Sequence, residues 1–230
     1  MVAHQTIFSG EANNSLFNKV VTFNSCPADY IHESWFKHIQ YGELISSLRD
    51  SHDAQPFLSE HLLAILSLQK EWDYAFELSE KRIALDDSEI LIRLPLYIGI
   101  VLNETVIRKA IKRSDRLALE ATLGKEAYLF AVKKAQFLFR HRQDNAQASI
   151  DWDHIDRFKN FIILSGLQVM AVVYGEMPKA FCERLYIKLP VAWKKHLSKK
   201  VGLSLSKQDC LNLLTKTYKE VNRQWHHLLS

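Results

Sequence analysis

The sequence predicts an all-α protein, a single globular multi-helix domain with a loosely ordered N-terminal arm. Glycine occurs only seven times in 230 residues, about half its usual share, and proline five times. Sheets with nucleotide loops and barrels with tight turns need glycine wherever φ turns positive, so scarcity favours long helices. Apolar residues also recur at helical spacing along most of the chain, and capping residues stand where those runs begin and end.

Taken in order, residues 1–25 are polar with short apolar pieces at Val20, Val21 and Phe23, and read as an arm ending in an extended segment. The helical domain then spans 26–230. Pro27 sets a turn and Asp29 caps a short helix. A helix from His32 to Arg49 presents Trp35, Phe36, Ile39, Leu44, Ile45 and Leu48. After the break at Pro56, Ser59 caps the next helix, whose core face is Leu62, Leu63, Ile65, Leu66 and Leu68. Trp72, Phe76 and Ile83 continue that face in a following helix.

Asp86, Asp87 and Ser88 supply an acidic helix start, and Pro95 and Gly99 are expected to bend or interrupt that helix. Ser114 or Asp115 caps a short helix stopped by Gly124. Residues 125–140 are apolar on most sides and should pack deeply. The polar stretch 141–150 is a candidate internal boundary. Asp151 to Tyr174 reads as one long helix, closed by Gly175 and Pro178, and a short helix carries Phe181, Leu185 and Ile187. Ser206 with Asp209 resembles a capping box. Behind it Cys210, Leu214, Tyr218, Val221, Trp225 and Leu228 form one apolar stripe. The expected core includes Leu129, Val132, Trp152, Phe158, Ile162, Leu167 and Met170.

Chemistry is harder to find. Three distant cysteines (Cys26, Cys182, Cys210) suit a reducing compartment, and buried structural thiols are the ordinary reading. The N-terminus lacks a basic-then-apolar export pattern. The most apolar stretch, 161–174, is too short to span a membrane. Of ten histidines, the adjacent His226 and His227 point about 100° apart on a helix and cannot share an ion. No HExxH, CxxC or GxSxG occurs. The acidic cluster Asp151, Asp153 and Asp156 sits at a helix start, where the macrodipole accounts for it. The expectation is no enzyme, no metal and no cofactor.

Charge is the remaining signal. Residues 1–90 hold six Lys/Arg against fourteen Asp/Glu, a net of −8, whereas residues 91–230 are net +12. Such polarity suits partners of opposite sign. The strongest basic run is Arg108, Lys109, Lys112, Arg113 and Arg116, with Arg108, Lys112 and Arg116 on one face if a helix continues through it. A second comprises Lys194, Lys195, His196, Lys199 and Lys200. The first is the candidate protein-binding surface. A helical nucleic-acid-binding regulator is the alternative, weakened because the aromatics lie in apolar helices and the pI is only moderately basic.

The segment SCPADYIHESW, with the run from Leu94 to Phe137, resembles the SctK family, which includes the YscK and PscK proteins and, more distantly, OrgA. The resemblance spans Cys26 to about Tyr174. Its fixed points are Pro27, Tyr30, Trp35, Leu102, Ile107, Arg113, Leu123, Gly124, Ala127 and Ala131, none of them catalytic. It implies a cytoplasmic helical adaptor of the type III secretion injectisome, in its sorting platform at the inner membrane. The implied partners are the cytoplasmic domain of the SctD-type inner-membrane ring protein and the SctQ-type, C-ring-like pod protein. Stator and ATPase would be reached indirectly, with no nucleic acid bound and no membrane insertion.

Overall fold

The computed structural model describes residues 10–139, 150–199, 203–222, 224 and 229, and every regular element among them is helical. The chain runs through α1 (Gly10–Ser25), α2 (Pro27–Tyr30), a 3-10 turn (Glu33–His38), α3 (Gly42–Leu48), α4 (Gln55–Ile65) and α5 (Ser79–Ala84). The centre is built from α6 (Ser88–Leu102), α7 (Glu104–Arg108), α8 (Arg113–Leu123), α9 (Lys125–Lys133) and α10 (Ala135–Leu138). A 3-10 turn (Trp152–His154) leads into α11 (Ile155–Tyr174), then α12 (Lys179–Ile187), α13 (Val191–Leu197) and α14 (Lys207–Val221).

The backbone of the fold is the pairing of α6 with α11, on which α14 lies against both. A Cβ added to Gly166 would stand 1.9 Å from the Pro95 carbonyl oxygen, and one added to Gly99 would stand 1.9 Å from that of Ile162. The two glycines therefore let the helix backbones touch, an approach no other residue permits. Of the two expected outcomes, bend or interruption, interruption does not occur: Pro95 lies inside α6 at this crossing. Leu91, Leu94, Ile98, Leu167 and Met170 are wholly buried around it. α8 packs on α11 and α9, and Gly124, with φ +90°, makes the turn between α8 and α9 that a side chain would strain.

Several expectations are corrected. The end of the N-terminal arm is helical, because Val20, Phe23 and Asn24 on one side of α1 are buried by the core. The helix expected over 32–49 breaks at Tyr41, whose φ of 58° is left-handed. α4 starts at Gln55 with Pro56 in its first turn, which suits a residue without an N–H. Ser59 is thus inside the helix, where its Oγ accepts from the Ala28 amide at 3.3 Å. Residues 66–78 are not helical, so Trp72 and Phe76 lie on an irregular strand of chain before α5. Asp29 is within α2 and caps nothing, since Cys26 holds the cap position without a side-chain bond.

Of the expected core, Phe158, Ile162, Leu167 and Met170 are buried, but Leu129, Val132 and Trp152 are 40%, 38% and 42% exposed. The cause is placement: α9 buries the opposite face, through Ala127, Phe130 and Ala131, and Trp152 precedes the long helix. The closing helix carries its stripe as far as Val221, where it ends at an extended Asn222. Ser206 Oγ accepts from the Asp209 amide at 3.1 Å and donates to its carboxylate at 2.7 Å. Cys210, Leu214 and Tyr218 are fully buried in the protein's own core. Trp225, Leu228, the histidine pair 226–227 and the stretch 141–149 lie outside the described residues.

Candidate interaction surfaces

The basic run does not form one helical face. α7 ends at Arg108, the chain turns through 109–112, and α8 begins at Arg113. All five cations, Arg108, Lys109, Lys112, Arg113 and Arg116, are exposed around this elbow, and Ile111 between them is 82% exposed. Arg108 reaches Glu104 at 3.3 Å; among the described residues the other four make no ion pair. Arg113 and Arg116 occupy the first turn of α8, where the macrodipole is positive and disfavours them, with Asp115 as a partial offset. The elbow is a site of uncompensated positive charge with a bare apolar centre.

The second basic run is more structural. Lys194 pairs with Glu183 at 2.7 Å and lies 5.5 Å from the Trp35 ring, so it is spent within the fold. Lys195 and Lys199 are exposed, and Lys200 is outside the described residues. Burial, then Lys195 and Lys199, hold the His196 pKa below its ordinary value.

The acidic part of the chain builds concavities. One of about 840 Å³ includes Lys19, Phe23, Tyr30, Asp87 and Lys188 in its lining. Lys188 is buried, donating to the carbonyls of Ala84 at 3.0 Å and Asp86 at 2.5 Å. Phe23 and Tyr30 present their rings to it at 5.8 and 5.3 Å. Burial pulls its pKa down to about 7, against the opposing pull of Asp86. The Asp86 carboxylate accepts from Tyr218 Oη and Asn222 Nδ2, each at 2.6 Å. A second concavity, about 530 Å³, lies between α2, α4 and residues 69–72.

Arg184 completes the buried polar set. Its guanidinium donates to the carbonyls of Asn24, Ala180 and Leu68 at 3.2–3.3 Å, and among the described residues no carboxylate pairs with it. Desolvation lowers its pKa. Asn24 in turn exchanges two hydrogen bonds with the Asp73 backbone, 2.7 and 3.0 Å, and Lys81 pairs with the Asp73 carboxylate at 2.7 Å. Arg184 and Lys188 were not anticipated as core residues. The signal was slight: Arg184 sits among Phe181, Cys182, Leu185 and Ile187, and Lys188 directly follows the buried end of α12.

Other candidates resolve into structural roles. Cys182 and Cys210 are buried and Cys26 half-buried, all as free thiols, and burial raises the pKa of each, that of Cys210 to about 11. Asp151 accepts from the Asp153 amide at 3.2 Å and pairs with Arg157 at 3.3 Å, so that cluster organises the entry to α11. Among the described residues no three His, Cys, Asp or Glu side chains converge as metal ligands would. No described helix is long and apolar enough to cross a membrane.

Fold and surfaces together define a helical protein with exposed cations at the α7–α8 elbow and carboxylates at the groove between α2 and α4. The family model for YOP proteins translocation protein K (YscK) matches residues 19–230, and the chain belongs to that family. It is therefore a type III secretion protein. The match extends well beyond the stretch 26–174 that carried the resemblance. No curated protein and no solved structure matches the chain significantly. Most of the fixed points of that resemblance are buried, among them Tyr30, Trp35, Ile107, Leu123 and Ala131. Trp35 Nε1 donates to the Leu189 carbonyl at 2.9 Å, and Tyr30 Oη to that of Phe23 at 2.7 Å. These residues hold the fold; the exposed exceptions are Arg113, at the elbow, and Gly124, at the α8–α9 turn.

Proposed function

We propose that this protein is a non-enzymatic, cytoplasmic adaptor of the injectisome sorting platform. It joins the cytoplasmic domain of an SctD-type inner-membrane ring protein to an SctQ-type pod protein, and through the pod reaches the stator and ATPase. The observation that carries the reading is the α7–α8 elbow: exposed cations surround a bare isoleucine in a member of a type III secretion family. Five like charges in nine residues repel one another, and two of them oppose a helix dipole. An acidic partner surface relieves both costs and speeds encounter.

The test is reversal of Arg108, Lys112 and Arg116 to Glu in the full chain. Capture of the ring-protein domain or of the pod protein should weaken while the thermal melt stays with the parent. Unchanged capture of both by the folded variant overturns the elbow as the docking surface. Salt-sensitive binding of random-sequence duplex, lost in the same variant, would replace the adaptor with a nucleic-acid-binding regulator.

A further inference from the structure

We infer that the groove between α2, α4 and residues 69–72 is a second docking site, one that takes a segment of a partner protein carrying Lys or Arg beside an apolar side chain. It goes beyond the elbow and does not depend on it. The groove encloses about 530 Å³, room for two or three side chains, and its walls include Pro56, Leu63 and Trp72. Trp72 is 47% exposed, so its ring presents apolar surface to solvent at the groove wall. Arg184, 5.9 Å behind the ring and bonded to three carbonyls, fixes where that wall stands.

Charge selects the occupant. Asp29 and Glu60 line the groove, no cationic side chain does, and among the described residues neither carboxylate has an ion pair or side-chain hydrogen bond. Arg49 acts on Asp29 only from beyond ion-pair distance, and the desolvation of the carboxyl outweighs it, leaving the pKa raised. A carboxylate that has lost part of its hydration and has no ion pair gains from an incoming ammonium or guanidinium. Asp29 also opens onto the adjoining concavity, where Glu33 and Asp50 outnumber the single cation, Arg49. The excess of carboxylates therefore continues past the groove, in keeping with the −8 balance of residues 1–90. An apolar wall under an acidic rim excludes an acidic or purely polar ligand and favours an amphipathic basic one.

The experiment uses the full chain and a fluorescein-labelled octapeptide of alternating Lys and Leu, with an alternating Glu and Leu octapeptide as control. The basic peptide should bind and the acidic one should not. Asp29→Asn with Glu60→Gln should raise its Kd about tenfold, and Trp72→Ala should do at least as much. Both changes are at the surface, so the melts should match the parent, and circular dichroism verifies that each variant is folded. Reversal of Arg108, Lys112 and Arg116 should leave the peptide's affinity unchanged, which separates this site from the elbow. Equal binding of the two peptides, no binding of the basic one, or an unaltered Kd in the folded Asp29/Glu60 variant would overturn the proposal.

Discussion

Where α6 crosses α11 the contact is dry and made by shape, with Gly99 and Gly166 bringing two backbones together inside a ring of leucines and isoleucines. Where α12 meets α1 and residues 66–87, the contact is made by buried donors reaching backbone carbonyls: Arg184 to Asn24 and Leu68, Lys188 to Ala84 and Asp86. The difference reflects what each region contains. Two regular helices satisfy their own backbones and need only fit. The chain around 66–78 has no ladder of its own, so its carbonyls must be paired by side chains or left unpaired in the core.

The largest expected effects test the dry crossing. Gly166→Leu cannot be seated without separating α6 from α11 and should cost more than about 3 kcal/mol, enough to erase a cooperative melt in a marginal protein. Phe158→Ala, at the buried start of α11, should cost about 3–5 kcal/mol in denaturant unfolding. A Gly166→Leu variant that melts with the parent would mean that the helices do not touch there.

The polar clasp should fail differently. Arg184→Leu removes an expensive buried charge but strands the carbonyls of Asn24 and Leu68, and the stranded groups should win by about 2–3 kcal/mol. The loss should be local. Hydrogen exchange should speed first across residues 66–78, with the α6–α11 amides still protected. Uniform acceleration through both regions would show that the clasp and the crossing are one cooperative unit.

Lys188 sharpens the same contrast through pH. Its folded pKa, about 7, lies below the unfolded value of 10.5, so between them the unfolded chain binds the extra proton. Stability relative to a Lys188→Met variant should therefore rise with pH from about 7 upward, by at most about 1.4 kcal/mol per unit. Asp86, Asp87 and Lys19 contribute to the site in both proteins, and the comparison cancels them to first order. A difference that is flat from pH 6 to 9 would mean Lys188 stays charged in its carbonyl nest.

This contrast also explains what could be read in advance. Phe158, Ile162, Leu167 and Met170 were legible because a helix repeats its buried face every three or four residues. The cap at Ser206 was legible because its signature is local. The irregular 66–78 was not, since Asn24 and Arg184 pin it from distant elements, and the break at Tyr41 falls on a left-handed residue that no periodicity marks. Of the candidate site, the cations were identified but their geometry was not: helical spacing suggested one face, and the turn at 109–112 made an elbow. The groove was invisible because Asp29, Glu60 and Trp72 come from three separate elements.

The smallest expected effect on stability is at Ile111, and it discriminates most finely among surface roles. At 82% exposure the side chain contributes little to the fold, so Ile111→Ser should shift stability by less than about 0.5 kcal/mol. If the elbow docks an acidic partner, the same change removes the apolar contact at its centre while leaving all five cations. Encounter is steered by charge, whereas residence depends on what is desolvated on contact. Ile111→Ser should therefore speed dissociation with little change in association rate, and charge reversal at Arg108, Lys112 and Arg116 should do the opposite. Surface plasmon resonance of the two variants against the same captured partner separates these signatures. Parent-like dissociation from the Ile111→Ser variant would reduce the elbow to a steering field and move the contact itself elsewhere.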